Sequence, residues 1–233
     1  MNKTLHSLHG RQKLQYLWDY YKLPLAGLLI ILLISGSLIY HKVTHKDTDL
    51  YLALVNVSMS ESMQQKMTGD FLTDVNLSPA KHRLELYQGL YLTDDSASEY
   101  HEYTYASRMK ILTTINSQLL DVVFMNQEAF DAFSQNGYLE DLPKLLQNDP
   151  ELLDRITPNL VRGTIILEDN AIDLLFDETA TYEAVTEDSI CGLDLSTSPF
   201  FKDSGFTEPV YLGIIRNSLR KELASSYLAY LFP

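Results

Sequence analysis

The chain has 233 residues, enough for one globular domain of ordinary size and one additional segment. Its 31 Asp and Glu outnumber its 18 Lys and Arg, and the net charge of -13 argues against a nucleic-acid partner, whose phosphates need cationic side chains. The single cysteine excludes an internal disulfide and a zinc site built on paired thiolates.

The first 40 residues differ in charge from the rest of the chain. They hold four Lys and Arg and one Asp, whereas the remainder holds 14 cations and 30 acids. Residues 23–40 contain no charged side chain and would span about 27 Å as an α-helix, close to the roughly 30 Å of a bilayer core. We therefore predict a cytoplasmic juxtamembrane segment (1–22), a transmembrane helix in the lipid bilayer (23–40), a linker (41–48) and an extracytoplasmic domain (49–233).

The residues that flank the apolar run are typical of membrane interfaces. They are Trp18, Tyr20, Tyr21 and Lys22 before the run and Tyr40 at its end. Lys and Arg are more numerous before the run than just after it, which predicts a cytoplasmic N-terminus and a domain outside the cell membrane. A cleaved signal peptide is the alternative, because the small residues 35–37 resemble a processing site. Residues 11–21 form either a surface amphipathic helix or an extension of the anchor.

Strand-like and helix-like patterns alternate in the rest of the chain. Strands are predicted over 50–58, 82–92, 121–125, 161–168 and 209–216, and helices over 60–74, 97–118, 126–137, 142–156 (split before Pro150) and 217–232. Residues 169–208 are predicted to be irregular, with weak strand signals at 172–176 and 180–185. In the helix over 97–118 we expect Met109, Leu112, Ile115 and Leu119 to face the core. The alternation predicts an α/β fold with a mostly parallel sheet flanked by helices.

Two stretches resemble the extracellular solute-binding proteins of bacterial ABC importers. The first is SRMKILTTINSQLLDVVFMNQEAFDAFSQNGYLEDLPKLL (107–146), with a helix, a "DVV" strand, a second helix and then Gly-x-Leu-x-Asp-Leu. The second, within 193–232, contains a "YLGI" strand, an Asn-Ser pair and a closing helix that ends in an aromatic residue and leucines. The resemblance implies a periplasmic-binding-protein-like (type II) lobe. Only about 50 residues separate the two stretches, so it implies one lobe with a residual second lobe.

Tyrosines are the best candidates for a binding site. Five of them lie between residues 87 and 105, and helical spacing places Tyr100 and Tyr103 on one face with Ser107. The alternative is that these tyrosines are packing residues with solvated hydroxyl groups. We expect no metal site, because His41 and His45 have no third ligand at a fixed spacing, and Cys191 is expected to be a half-buried, inert thiol.

These features predict a membrane-anchored, extracytoplasmic, non-catalytic binding or scaffold domain without a cofactor. Its partner would be a protein of the cell envelope or a small-molecule solute. The alternative function is that of a true solute-binding component of an ABC importer, with a ligand such as a carbohydrate. No nucleophile elbow, phosphate loop or dinucleotide fingerprint indicates an enzyme.

Overall fold

The computed structural model describes residues 18, 22–24, 26–37, 46–95, 97–98, 100–172, 174, 176, 181–201, 206 and 208–233. The chain forms two compact units, Met1–Lys46 and Asp47–Pro233. In the first unit residues 26–37 are helical. No helix among the described residues is long and apolar enough to cross a membrane, which leaves the predicted transmembrane helix over 23–40 without structural support. Of the predicted interface residues, Trp18 and Lys22 are exposed, and Tyr20, Tyr21 and Tyr40 lie outside the described residues.

The second unit contains six strands and seven α-helices within its described residues. In chain order they are β1 (Asp47–Val55), α1 (Glu61–Gln65), α2 (Phe71–Asp74), β2 (His82–Leu90), α3 (His101–Asn116), β3 (Val122–Met125), α4 (Gln127–Gln135), α5 (Leu142–Leu145), α6 (Pro150–Ile156), β4 (Leu160–Asp169), β5 (Ala184–Asp194), β6 (Tyr211–Ile214) and α7 (Lys221–Leu231). A π-helical turn, Lys66–Asp70, joins α1 to α2. The strand–helix alternation predicted from the sequence is confirmed up to β4, after which β4, β5 and β6 follow one another without an intervening α-helix among the described residues.

The six strands form one mixed sheet in the order β2-β1-β3-β6-β5-β4. Only β1 with β2 and β1 with β3 pair in parallel, whereas β6 runs antiparallel to β3 and to β5, and β5 runs antiparallel to β4. The prediction of a mostly parallel sheet was therefore wrong. A parallel pair needs a long crossover, and helices supply it between β1, β2 and β3. Residues 170–183, which join β4 to β5, contain no such helix among their described members, and the two strands pair antiparallel.

The sheet has a hydrophobic core on each face, because side chains alternate along each strand. In β1, Leu52 and Leu54 point to the face covered by α1, α2 and α5–α7, whereas Ala53 and Val55 point to the face covered by α3 and α4. The centre of the first core holds the fully buried Tyr227, whose ring packs edge-on against Phe71 with centroids 4.8 Å apart. Helices thus cover the sheet on both sides, as predicted.

The Tyr227 hydroxyl has no hydrogen-bond partner in the described part of the chain. Its burial raises the pKa of Tyr227 well above the usual value, so the group stays protonated and unpaired. Because a buried hydroxyl without a partner is destabilising, we expect Tyr227→Phe to raise the free energy of unfolding by about 1 kcal/mol and Tm by about 2–4 °C. Thermal unfolding of residues 47–233 measures this. The matched control is Tyr230→Phe, which removes a bond to the Lys66 carbonyl at 2.8 Å and should not raise Tm.

Candidate functional site

The carboxyl ends of the parallel strands β1, β2 and β3 meet at one edge of the sheet, the position where open α/β sheets bind ligands. A cavity of about 240 Å³ opens there between the residues that follow each strand and the start of α3. Its lining includes Asn56, Tyr91, Tyr100, Asn126 and Glu128. A second cavity of about 160 Å³ shares Asn56 and Asn126 with the first. We call the two together the carboxyl-edge site.

Asn56 fixes the three strand ends relative to one another. Its backbone has a φ of 57°, a left-handed conformation that Asn tolerates better than most residues. Its amide nitrogen donates to the Leu92 carbonyl at 2.6 Å, and its oxygen accepts from the Leu92 N–H at 2.8 Å. The same nitrogen donates to Oδ1 of Asn126 at 3.1 Å, and Asn126 in turn caps α4 by accepting from the Ala129 N–H. These amides therefore hold the backbone in place.

The structure brings the predicted site residues together around Tyr91. The rings of Tyr91 and Tyr100 are stacked, with centroids 4.2 Å apart and an interplanar angle of 2°, and the Tyr103 ring lies 6.2 Å from Tyr91. Ser107 is buried, and its hydroxyl accepts from the Tyr91 N–H at 2.9 Å, so it holds β2 against α3. Tyr100 and Tyr103 keep an exposed surface beside the cavity.

Sequence reasoning missed Asn56, Asn126 and Glu128. A usable signal was present, because each Asn directly follows an apolar strand, in ALVN and in VFMN. Glu128 follows in the first turn of α4 and accepts from the Asp94 N–H at 3.1 Å. Asn56, Asn126 and Glu128 thus already have partners within the domain, and the rings of Tyr91 and Tyr100 complete this side of the cavity.

Helix α3 buries a different face from the one predicted, because of the four residues expected in the core Ile115 alone is buried, and Leu119, which follows the helix, is exposed. The helix buries Thr104, Ser107, Ile111, Thr114 and Ile115. Met109 and Leu112, expected in the core, are instead exposed together with Tyr105, at 49%, 36% and 77% respectively. The buried face therefore contains the hydroxyl groups of Thr104, Ser107 and Thr114. The Thr114 hydroxyl donates to the backbone carbonyl of Lys110 or of Ile111.

Tyr105, Met109 and Leu112 have the spacing of a single face, i, i+4 and i+7, and we call them the α3 stripe. A groove of about 370 Å³ runs beside the stripe between α3 and α4. Leu112, Phe133 and Tyr138 are among its lining residues. The ion pair of Arg108 with Asp94, at 2.6 Å, lies at the same groove. The stripe is apolar, whereas the groove beside it has a mixed lining that includes Asp94, Arg108, Gln135 and Asn136.

A cavity of about 890 Å³ lies among α2, α5 and α7 on the other face of the sheet. Two of its charged side chains have partners in the domain, since Lys221 forms an ion pair with Glu140 and Asp149 caps α6. Burial, with Asp70 and Asp74 adding to it, raises the pKa of Tyr230 to about 12. The Tyr230 phenol therefore stays protonated at neutral pH and is not a general base there.

Cys191 is fully buried, not half-buried as predicted. Burial raises the pKa of its thiol to about 11, so the nucleophilic thiolate is scarce at neutral pH. No group of three or more His, Cys, Asp or Glu side chains in the described ranges could hold a metal ion. His41 and His45 lie outside those ranges.

Comparison with known proteins gives no family to which the chain can be assigned. No family model, curated protein or solved structure matches it. The resemblance to solute-binding proteins therefore depends on the two quoted stretches alone. In the fold these stretches are neighbours, because β3 from the first pairs with β6 from the second.

Proposed function

We propose that this protein is a membrane-anchored, extracytoplasmic, non-catalytic binding or scaffold domain that holds a protein partner of the cell envelope on the outer surface of α3. The observation that carries the proposal is the orientation of α3. A helix on a sheet normally buries its apolar side, whereas α3 buries three hydroxyl residues (Thr104, Ser107 and Thr114) beside Ile111 and Ile115, and it exposes Tyr105, Met109 and Leu112. Tyr and Met are enriched at protein interfaces, and the adjacent groove offers a recess for a partner side chain.

The anchor in this proposal is supported by the sequence of residues 23–40, which contains no charged side chain. The large apolar side chains from Leu28 to Ile34 are each more than half exposed, so they are not buried in a protein core within the described residues. Four Lys and Arg precede the run and two Lys follow it closely, which is consistent with a cytoplasmic N-terminus and an external domain.

The proposal is tested by site-specific photo-crosslinking of the full chain in its native membranes. A crosslinking amino acid at Tyr105 should give one discrete adduct, and the same group at the exposed Ser226 of α7, on the other face of the sheet, should not. Introducing Met109→Glu beside the Tyr105 probe should reduce the adduct at least tenfold, because a charge in an interface core costs more than about 1.4 kcal/mol.

Ser226→Glu is the matched control, since it adds the same charge to an exposed helical position on the other face of the sheet. It should leave the adduct unchanged. Met109 is half exposed and Ser226 is exposed, so neither variant should change the free energy of unfolding by more than about 0.5 kcal/mol. Equal adducts from positions 105 and 226, or an adduct that survives Met109→Glu, would contradict the proposal.

The second candidate function is solute binding at the carboxyl-edge site, favoured by the stacked Tyr91 and Tyr100 beside a cavity. The cavities of about 240 and 160 Å³ are smaller than the roughly 300–1,000 Å³ of usual ligand pockets. A genuine ligand raises Tm through RT ln(1 + [L]/Kd). A shift with a sugar, peptide or amino acid at millimolar concentration that is lost in Tyr100→Ala would favour this second function over a scaffold.

A further inference from the structure

The far end of the β4–β5 ribbon exposes large apolar side chains. Strand β5 pairs with β6 through Leu193 and Asp194 alone among the described residues, so most of the ribbon extends beyond the other strands. Helix α4 packs closely against the ribbon at Gly163, where an added Cβ would lie 2.6 Å from that of Ser134. Beyond this point five large apolar side chains are between 49% and 86% exposed, and we call them the ribbon tip: Leu167, Ile172, Phe176, Tyr182 and Val185.

Side-chain hydrogen bonds order the backbone of the tip. The Asn170 amide nitrogen donates to the Thr181 carbonyl at 2.9 Å, and its oxygen accepts from the Glu183 N–H at 2.8 Å. The Tyr182 hydroxyl donates to the Asp169 carboxylate at 3.3 Å. These contacts join the two strands at and just beyond the last pair of the ladder. The apolar side chains on the two strands are therefore carried by an ordered backbone.

The tip lies in a segment that carries negative charge and no positive charge. From residue 163 to residue 201 the chain contains nine Asp and Glu and no Lys, Arg or His. Among the described residues, Asp188 alone of these acids forms an ion pair, with Arg162 at 3.4 Å. Five of the acids are described and exposed: Glu168, Asp169, Glu183, Glu187 and Asp188. The apolar side chains of the tip are thus accompanied by carboxylates that the domain leaves largely unneutralised.

This combination selects among the surfaces that could cover the tip. Large apolar side chains gathered at one end of a domain are typical of a contact surface. An anionic bilayer is disfavoured, because segments that lie on membranes carry Lys and Arg beside their apolar face and carboxylates are repelled by anionic headgroups. The tip of a second copy is disfavoured because like charges would face each other. A protein surface with cations around an apolar recess complements both the charge and the apolar side chains.

We propose that the ribbon tip docks a protein whose binding face places Lys and Arg around an apolar recess. The apolar side chains enter the recess, and the exposed carboxylates meet the cations at the rim, the usual arrangement of a protein interface. Complementary charge speeds the encounter and makes it sensitive to salt. The ribbon lies at the other end of the strand order from β2, which α3 contacts, so this docking does not depend on the partner proposed for the α3 stripe.

Photo-crosslinking from Phe176 of the full chain, in the cells that produce it, identifies what the tip contacts. A crosslinking amino acid at Phe176 should give a protein adduct, and the same group at the exposed Gln147, between α5 and α6, should not. Mass spectrometry should place the crosslink in a partner segment with more Lys and Arg than Asp and Glu. A missing adduct, or a crosslink to lipid, to a second copy of this chain or to a segment without cationic excess, would overturn the proposal.

Removing charge tests the electrostatic part. Glu168→Gln together with Glu187→Gln should reduce the Phe176 adduct at least about threefold, because two rim carboxylates are lost. Raising the ionic strength of a cell extract from about 0.1 M to about 1 M shortens the screening length from about 10 Å to about 3 Å and should also reduce the adduct. Glu151→Gln together with Asp154→Asn is the matched control, since it removes two exposed carboxylates from α6 and should change nothing. Equal adducts from the two double variants would contradict the proposal.

Shortening one side chain tests the apolar part. Leu167→Ser should reduce the Phe176 adduct at least about fivefold, because the recess loses an apolar side chain. Leu219→Ser is the matched control, since Leu219 is 71% exposed away from the ribbon, and it should leave the adduct unchanged. Unfolding curves of both variants should match the original chain, because both leucines are exposed. An adduct that survives Leu167→Ser would contradict the proposal. Met109→Glu should leave the Phe176 adduct intact, which separates this contact from that of the α3 stripe.

Discussion

Replacing Asp121 by alanine is expected to lower the free energy of unfolding of residues 47–233 by about 3–5 kcal/mol. Asp121 lies directly before β3, and its side chain is fully buried. One carboxylate oxygen accepts from the Tyr51 N–H at 2.8 Å, and the other accepts from the Ser218 hydroxyl at 2.6 Å and from the Arg220 guanidinium at 3.4 Å. This carboxylate therefore joins β1 and β3 to the segment that leads into α7.

The cost of the substitution comes from the groups left behind. Without the carboxylate, the Tyr51 N–H and the Ser218 hydroxyl lose their acceptors in the interior, and each unpaired buried group costs about 1–3 kcal/mol. Arg220 still donates a hydrogen bond to the Gln118 carbonyl at 3.0 Å, and its guanidinium still lies 4.7 Å from the centre of the Tyr51 ring. Its charge is therefore not left without interactions. The loss should thus remain within the stated range.

Urea unfolding measures the effect, with Asp188→Ala as the matched control. Asp188 forms an ion pair with Arg162 at 3.4 Å, but both side chains are more than half exposed. Exposed pairs contribute less than about 1 kcal/mol, so the control should change the urea midpoint only slightly. Comparable losses from the two variants would contradict the structural role assigned to Asp121.

The sequence predicted the elements of the fold better than their pairing. The first β5 residues, Ala184–Asp188, are exposed throughout, so no apolar alternation marks them as a strand. The strand exists because it pairs with β4, an interaction that the local pattern does not contain. Because β5 was not predicted, the predicted sheet lacked the antiparallel pairings of β5 with β4 and with β6. The sheet therefore appeared to be mostly parallel.

The candidate site was predictable only where local spacing determines it. Tyr100, Tyr103 and Ser107 share one side of α3, and the structure places all three next to Tyr91. The orientation of α3 itself was not predictable from apolar spacing, because its outward stripe has the same periodicity as a core-facing one. If a partner protein covers this stripe, its apolar side chains are buried in the complex and not in the core. The spacing that wrongly predicted a core-facing side would then mark the interface.

The Asn56 network could not be predicted from local pattern either. Its bonds to Leu92 and Asn126 connect residues that are 36 and 70 positions apart. We expect Asn56→Ala to lower the free energy of unfolding by about 2–4 kcal/mol. The loss combines the left-handed backbone, which costs alanine about 1–2 kcal/mol, with the Leu92 N–H and C=O groups left without partners.

Asn56→Gly separates the two contributions, because glycine adopts the φ of 57° without strain but has no amide side chain. It should be more stable than Asn56→Ala by about 1 kcal/mol and remain less stable than the original chain. Asn76→Ala is the control for backbone strain alone, since Asn76 has a φ of 59°. Urea unfolding of the three variants gives the comparison. If Asn56→Gly were as stable as the original chain, the bonds to Leu92 and Asn126 would not hold the strand ends together. The carboxyl-edge site would then depend on backbone conformation alone.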